Sequence, residues 1–68
     1  MTIGQRIRQR RESLGYKQIV VAMIAGCSLK TISDVENAKA MPRIDMAQRI
    51  AWALETTVGH LLGEIEGN

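Results

Sequence analysis

The chain has 68 residues, a net charge of +2 at pH 7, one tyrosine, one tryptophan and no phenylalanine. This length excludes a second domain with its own core, and the composition requires a core of aliphatic side chains. One cysteine excludes an internal disulfide, the first residues do not form a signal peptide, and no apolar stretch is long enough to span a membrane. Because helix-forming residues dominate, we expect one all-α domain over residues 1–68. The single cysteine suits the reducing cytoplasm, where we expect the protein to act, and we expect no membrane partner.

Charge is distributed unevenly along the chain. Residues 1–43 carry eight basic and three acidic side chains, a net charge of +5. Residues 44–68 carry one basic and four acidic side chains, a net charge of −3. A domain with this polarity presents its basic side to phosphates. Taken by itself, however, the basic run from Arg6 to Arg11 is more typical of a solvated helix face.

The first helix is predicted to begin with a capping box. Thr2 caps the helix, and the Gln5 side chain bonds back to the backbone of the cap. Ile3, Ile7 and Leu14 mark the buried side of this helix, and Gly15 ends it. The second helix is predicted over residues 18–25.

A tight turn follows the second helix. Ala22 is small enough for two helices to approach closely, and Gly26 can take the left-handed conformation that ends a helix. Ser28 can cap a third helix over residues 29–36, whose apolar positions face the core. Two short helices joined in this way are typical of a helix-turn-helix unit, which holds its second helix in the major groove of DNA.

The remaining residues are predicted to form a loop, a fourth helix and one last helical turn. Pro42 places residues 37–43 outside any helix. The fourth helix has an apolar face that we expect to be buried, made of Ile44, Ala47, Ile50, Ala51 and Leu54. Thr57 is expected to cap the last turn, and residues 63–68 are expected to form a frayed tail. The side chains expected to close the core from this turn are Val58, Leu61 and Leu62.

These motifs resemble the helix-turn-helix domains of lambdoid phage repressors and Cro proteins. The resemblance rests on the small residues around Gly26, on Glu36-Asn37, and on Lys39 and Pro42, and it extends over residues 2–63. It implies a compact, five-helix domain similar to that of lambda repressor, with the second and third helices as the helix-turn-helix unit. It also implies a protein that acts at the nucleoid of a bacterium or of a phage-infected cell.

Three features depart from the family pattern. Lys17 stands where relatives carry a serine or threonine cap, and Glu55 stands where they carry a glycine. The second helix is apolar on nearly every side, although relatives make its outer positions polar. These outer residues are expected either to contact a further protein or to be covered by the stems of arginine and lysine side chains. They are Ile19, Val20, Met23 and Ile24.

The resemblance implies that the first two turns of the third helix face the bases. Lys30 can donate to guanine O6 and N7, and Asp34 can accept from cytosine N4. Leu29 can pack on a thymine methyl group, and Thr31 can reach a base or a phosphate. Alternatively, Asp34 only orients Lys30, which lies four residues before it. Because relatives carry glutamine or arginine at these positions, their operator sequences do not transfer to this chain.

Contacts to the DNA backbone are expected at the start of the second helix, at the cap of the third helix and in the loop after it. The positive end of the second helix favours a phosphate near Gln18. For Lys39 and Arg43 a solvent-facing role is equally compatible with the sequence. The resemblance also implies a structural ion pair between Arg11 and Glu36, which would tie the first helix to the end of the third. The full set of expected backbone contacts is Gln18, Ser28, Asn37, Lys39, Arg43 and Arg11.

We therefore predict a sequence-specific transcription regulator, a repressor that binds a palindromic operator as a homodimer with its third helix in the major groove. Dimerisation is expected to come from the domain itself and to be weak without DNA. The resemblance implies that its contact residues are Trp52, Thr56, Thr57, Val58 and His60. The alternative is a protein-binding module (an antitoxin, an anti-repressor or a coactivator) that grips its partner with the apolar second helix.

No set of residues predicts catalysis, a cofactor or a metal. A Ser/His/Asp set, a carboxylate pair and a glycine-rich phosphate loop are all missing from the sequence. His60 has no second ligand at metal-binding spacing and is expected at the surface. Cys27 is expected to be a small core residue rather than a redox sensor. We therefore expect a protein that is not an enzyme and that needs no cofactor.

Overall fold

The computed structural model describes residues 1–64, in which five α-helices form from the segments that the sequence predicts. In chain order they are α1 (Ile3–Ser13), α2 (Gln18–Ala25), α3 (Leu29–Glu36), α4 (Ile44–Ala53) and α5 (Val58–Leu61). No strand occurs among these 64 residues. The prediction of an all-α fold with a helix-turn-helix unit at α2 and α3 is confirmed.

The helix starts follow from local capping chemistry. Thr2 and Gln5 form the expected capping box, with hydrogen bonds of 3.1 and 2.8 Å. The hydroxyls of Ser28 and Thr57 accept hydrogen bonds from the backbone N–H three residues later, at 3.1 and 3.2 Å. Lys17 provides no side-chain cap for α2. The first turn of α2 therefore begins without a side-chain acceptor, as the departure at this position predicts.

Each helix ends with the same backbone arrangement, in which one residue with positive φ turns the chain. These residues are Gly15 (φ +74°), Gly26 (+74°), Ala38 (+60°), Glu55 (+58°) and Gly63 (+79°). After Gly26 the backbone N–H of Cys27 donates to the Ala22 carbonyl at 2.9 Å, which closes the last turn of α2. The chain bends by 115° between α2 and α3 at this turn. Gly26 therefore sets the angle at which α3 leaves the core.

The core is aliphatic, as the composition predicts. Helix α2 packs against α3 and α4, and α1 packs against α3 and α5. The largest side chains that are fully buried are Ile7, Val21, Ile32, Ile50 and Leu54. Burying each of these side chains stabilises the fold by about 1.5–3 kcal/mol relative to its exposure. They come from the first four helices and the end of α4, so the core holds the helix-turn-helix unit against α1 and α4.

Helices α1 and α3 approach so closely that Gly4 has no room for a side chain. A Cβ atom at this position would collide with the Val35 carbonyl oxygen and lie 2.9 Å from the Glu36 carbonyl oxygen. This close approach brings the side chains of α1 within reach of the end of α3. The sequence places Gly4 inside the capping box but carries no local signal of this contact.

Two side chains that were expected in the core are exposed instead. Ile44 is 65% exposed because, as the first residue of α4, it lies ahead of the turns that pack against the other helices. Leu62 is 47% exposed because it follows the last residue of α5, beside Ile3 and Met41 at the rim of a groove. Both predictions were wrong. By contrast, Leu61 is buried, and Val58 packs against the core.

The predicted tail lies mostly outside the described residues, which end at Glu64. Within the described part, the Glu64 N–H donates to the Gly59 carbonyl at 2.9 Å and closes α5. No single helix in residues 1–64 is long and apolar enough to cross a membrane. The segments of α2 and α3 pass such a test only when they are joined across their 115° bend.

Candidate nucleic-acid interface

The first turn of α3 faces solvent because the buried side of this helix points the other way. Ile32 and Val35 are buried, so the opposite side of the helix faces outward. Leu29 and Lys30 are exposed on this side, and Thr31 is half-buried. The hydroxyls of Ser28 and Thr31 also bond to each other at 2.9 Å. The start of α3 is therefore both rigid and open, as a helix that enters a groove requires.

Lys30 and Asp34 form an ion pair on the outer face of α3. The Lys30 Nζ lies 2.6 Å from the Asp34 Oδ2, and the Lys30 side chain is 82% exposed. An exposed pair of this kind contributes at most about 1 kcal/mol, so Lys30 can release Asp34 at little cost. The geometry accommodates both interpretations of Asp34, as a base-reading acceptor and as a group that orients Lys30.

A buried carboxylate at the end of α3 links this helix to α1 and α2. Arg11 donates to both oxygens of Glu36, at 2.7 and 3.0 Å. Gln18 Nε2 and Arg8 Nε also donate to Glu36 Oε1, at 3.0 and 3.2 Å. The Glu36 side chain is fully buried, whereas the side chain of Arg8 is 45% exposed. We call Arg8, Arg11, Gln18 and Glu36 the Glu36 cluster; it fixes α1, the start of α2 and the end of α3 relative to one another.

The Glu36 cluster keeps its carboxylate charged. Burial acts to raise the pKa of Glu36, but the hydrogen bonds from Arg11, Gln18 and Arg8 outweigh it, so this pKa lies below its ordinary value. The hydrogen bond to Glu36 raises the pKa of Arg11 above its ordinary value, against the opposing effect of burial. Because hydrogen bonds from three side chains satisfy the carboxylate, the cluster is a rigid scaffold.

Of the residues expected at the DNA backbone, Arg11 and Gln18 belong to this cluster and Asn37 bonds to it. The Gln18 side-chain amide already donates to Glu36, and Asn37 Oδ1 accepts from Arg8 Nη2 at 3.0 Å. Lys39 and Arg43 are exposed in the loop between α3 and α4. The first turn of α2 begins at Gln18 without a side-chain cap, and the backbone N–H groups of Gln18 and Ile19 remain available to an anion, whereas that of Val20 donates to the Lys17 carbonyl at 3.0 Å. That these residues contact phosphates remains a prediction.

The residues expected at a dimer interface fall into three groups. Thr56 and His60 are joined by a 3.0 Å hydrogen bond and border a groove beside Arg6 and Arg10 of α1. Thr57 is engaged as the cap of α5, and Val58 packs against the core. Trp52 is 72% exposed and borders a different groove, between α2 and α4. The structure therefore does not gather the five residues into one patch.

The apolar residues on the outside of α2 are exposed to different degrees. Met23 is 73% exposed, Ile19 is 44% exposed and Ile24 is 41% exposed. Val20 is half-buried. No other segment among residues 1–64 covers the first three side chains, so the expected apolar surface is present.

Two arginines have roles that the sequence analysis did not assign. Arg8 joins the Glu36 cluster and Asn37, as described above. Arg10 Nε and Nη2 donate to the carbonyls of Leu54 and Glu55, at 2.8 and 3.0 Å, and so satisfy the end of α4. Both contacts join residues far apart in the sequence, and no local pattern distinguishes these arginines from a solvated basic helix face.

Cys27 and His60 show no features of a reactive or metal-binding site. Burial raises the pKa of the Cys27 thiol, which lowers its reactivity, and the side chain packs against the core. His60 is half-buried and bonds to Thr56. Among the described residues no three histidine, cysteine, aspartate or glutamate side chains are grouped as metal ligands.

Comparison with known proteins agrees with this geometry. Residues 7–61 match a helix-turn-helix family model. The chain is 35% identical over 63 residues to the HTH-type transcriptional regulator SinR of Bacillus licheniformis, covering 91% of this chain and 57% of SinR. It is 31% identical over 64 residues to the immunity repressor protein of Bacillus phage phi105, covering 94% of this chain and 44% of that protein. The chain thus spans about half the length of these curated relatives.

A solved structure shares the fold over nearly the whole chain. The P22 c2 repressor, in complex with synthetic operator 9T in the presence of Tl+, matches with a TM-score of 0.86 and 29% identity. The match covers 91% of this chain and 94% of that one. Fold and interface together define a small, all-α protein with an outward-facing recognition helix. The chain belongs to the helix-turn-helix family, and its resemblance to phage repressors is confirmed.

Proposed function

We propose that this chain is a sequence-specific, double-stranded DNA-binding transcription regulator that acts as a repressor. The observation that carries this proposal is the exposed first turn of α3, held by the Ser28 cap and by the buried Ile32 and Val35. Similarity to the P22 c2 repressor, which was solved on a synthetic operator, supports the same use of the fold. Similarity to a phage immunity repressor supports repression as the outcome.

On a duplex, α3 lies in the major groove and α2 spans the backbone. Leu29 packs on a thymine methyl group, Lys30 donates to a guanine, and Thr31 contacts a base or a phosphate. Asp34 either accepts from cytosine or orients Lys30 from its position 2.6 Å away. These contacts read the sequence, because they reach base edges rather than phosphates.

Contacts to the backbone fix the register of α3 in the groove. The uncapped start of α2 faces one phosphate with the N–H groups of Gln18 and Ile19, and the Ser28 hydroxyl adds a further donor from the cap of α3. Arg11 supports this surface from α1, where its three nitrogens donate to Glu36 and to the Tyr16 carbonyl. Asn37, Lys39 and Arg43 follow the next phosphates from the loop after α3. Because the Glu36 cluster joins the first three helices, these contacts and the base-reading turn act as one rigid body.

Two copies bind a palindromic operator and exclude the transcription machinery by occupying it. Their recognition helices are about 34 Å apart, one turn of the double helix. The contact between copies on DNA is formed at the end of α4 and at α5, where Thr56 and His60 are held together. Thr57 and Val58 position this segment, whereas Trp52 borders the separate groove between α2 and α4.

Selection of bound duplexes from a random pool tests this proposal. We expect the wild-type protein to enrich an inverted repeat whose half-sites are about 10 base pairs apart, centre to centre. A Leu29→Ala, Lys30→Ala double variant, which keeps the buried face of α3 intact, serves as the control and is expected to lose the enrichment. A bound pool indistinguishable from the starting pool would contradict sequence-specific binding.

A protein-binding module is a second candidate function, favoured by the exposed Ile19, Met23 and Ile24 on α2. In that role, as an antitoxin, an anti-repressor or a coactivator, the chain would grip its partner protein through this apolar surface. The two functions differ in their dependence on salt. Binding to DNA weakens steeply as the salt concentration rises, whereas binding through an apolar face does not.

A further inference from the structure

Exposed apolar side chains of α2 and α4 meet at a shallow groove. We define the α2–α4 groove by its lining residues, which are Ile24, Ala25, Asp45, Gln48, Arg49 and Trp52. Trp52 is 72% exposed and Ile24 is 41% exposed, so both rims of the groove are apolar and open to water. A tryptophan this exposed next to a second exposed apolar residue is typical of an interaction surface.

The lining of the α2–α4 groove includes one negative and one positive side chain. Asp45 and Arg49 are one helical turn apart on α4, and neither forms a salt bridge within residues 1–64. The one side-chain hydrogen bond of Arg49 in this part of the chain is a 3.9 Å contact to the Met46 sulfur. Because the two charges cancel, the groove has little attraction for phosphates, and its occupant must offer both signs of charge and apolar surface.

We propose that the α2–α4 groove is an interface between two copies of this chain related by a two-fold axis. In such an interface the same patch faces itself, so every contact occurs twice. If Asp45 of one copy pairs with Arg49 of the second copy, then Arg49 of the first copy necessarily pairs with Asp45 of the second. The two Trp52 side chains and the two Ile24 side chains are buried beside these ion pairs. A second copy is therefore the occupant whose chemistry complements the groove.

This interface is separate from the one used on the operator. The α2–α4 groove does not include Thr56 or His60, which border a different groove beside α1. It also leaves out Leu29 and Lys30 at the start of α3. A chain can therefore bind DNA and use the groove at the same time.

Charge reversal tests this interface in the absence of DNA. Association of the wild-type protein is measured by sedimentation equilibrium and by the emission of Trp52, which is the only tryptophan. We expect the emission to move to shorter wavelength as the protein concentration rises, because Trp52 becomes buried. Asp45→Arg and Arg49→Asp each place like charges opposite one another and are expected to weaken association about tenfold or more. Met41→Ser, which changes an equally exposed apolar residue outside the groove, is the control and is expected to leave association unchanged.

Mixing the two variants is the decisive step. In a mixed pair, the copy with Asp45→Arg presents two arginines to the copy with Arg49→Asp, which presents two aspartates, so equimolar mixing is expected to restore association. If either variant loses its helical circular dichroism, Asp45→Asn and Arg49→Gln replace the reversals and are expected to weaken association by a smaller factor.

Three outcomes would overturn the proposal. The first is a wild-type protein that stays monomeric up to millimolar concentration. The second is association that the variants do not weaken, and the third is weakened association that mixing of the two charge reversals does not restore. Because no DNA is present, these outcomes do not depend on whether the operator is bound.

Discussion

At the scale of single residues, the Glu36 carboxylate fixes the helix-turn-helix unit against α1. It accepts hydrogen bonds from Arg11, Gln18 and Arg8, and it is fully buried. Resemblance to phage repressors implies the pair with Arg11, but the sequence alone does not indicate the other two donors. Arg8 is 28 residues and Gln18 is 18 residues from Glu36, so their contacts depend on how α1 and α2 pack against α3.

Replacing Arg11 with alanine removes the donor that bonds to both oxygens of Glu36. We expect the free energy of unfolding to fall by about 2–3 kcal/mol, since a buried charge loses its main partner. Arg8→Ala is the matched control, because Arg8 donates to the same carboxylate from an exposed position. It is expected to cost at most about 1 kcal/mol. Urea denaturation of both variants checks the difference, and equal losses would show that burial does not govern the strength of these bonds.

Acid provides an independent check on the same contact. The pKa of Glu36 is lower in the folded protein than in the unfolded chain, so the carboxylate contributes its stabilisation fully above the ordinary glutamate pKa of about 4.3. This contribution is lost as the pH falls through the lower pKa of the folded state. The difference in stability between the wild type and Arg11→Ala should therefore narrow in acid. A difference that is constant from neutral to acid pH would rule out the charged form as its source.

Helix boundaries were predictable at the scale of elements because they rest on local chemistry. The Thr2, Ser28 and Thr57 caps and the glycines after α1 and α2 lie within a few residues of the ends that they determine. The exposure of Ile44 and Leu62 was not predictable in this way, since it depends on which helices lie nearby. Nor does local sequence reveal that Ala38, a residue with a Cβ atom, ends α3 in the same left-handed conformation as a glycine.

Two matched substitutions test the common helix ending. Ala38→Gly removes a methyl group from a residue at φ +60°, and Gly26→Ala adds one at φ +74°, where the nearest atom is at an ordinary contact distance of 3.7 Å. Left-handed strain costs about 1–2 kcal/mol, partly offset by the greater freedom of glycine in the unfolded chain. We expect Ala38→Gly to raise stability by about 0.5–1 kcal/mol and Gly26→Ala to lower it by about the same amount. Thermal denaturation that moved both midpoints in the same direction would contradict this explanation.

At the scale of the whole molecule, the basic and acidic parts of the chain correspond to different helices. The basic residues 1–43 contain the helix-turn-helix unit and the loop after it, whereas the acidic residues 44–68 contain α4 and α5. The sequence was sufficient to predict this polarity and the fold, because both follow from composition and capping. It was insufficient to predict the α2–α4 groove, since Ile24 and Trp52 line one groove only after α2 packs against α4.

The comparison of Lys30→Ala with Lys39→Ala on duplexes selected by the wild-type protein tests the central claim most directly. Both lysines are exposed, but Lys30 lies in the first turn of α3 and Lys39 lies in the loop after it. We expect Lys30→Ala to cost about 1–3 kcal/mol on the selected sequence and to relax the preference at one base pair of each half-site. Lys39→Ala should weaken binding to all sequences alike and reduce the salt dependence by about one unit. If both variants weaken every duplex to the same extent, α3 does not read the bases.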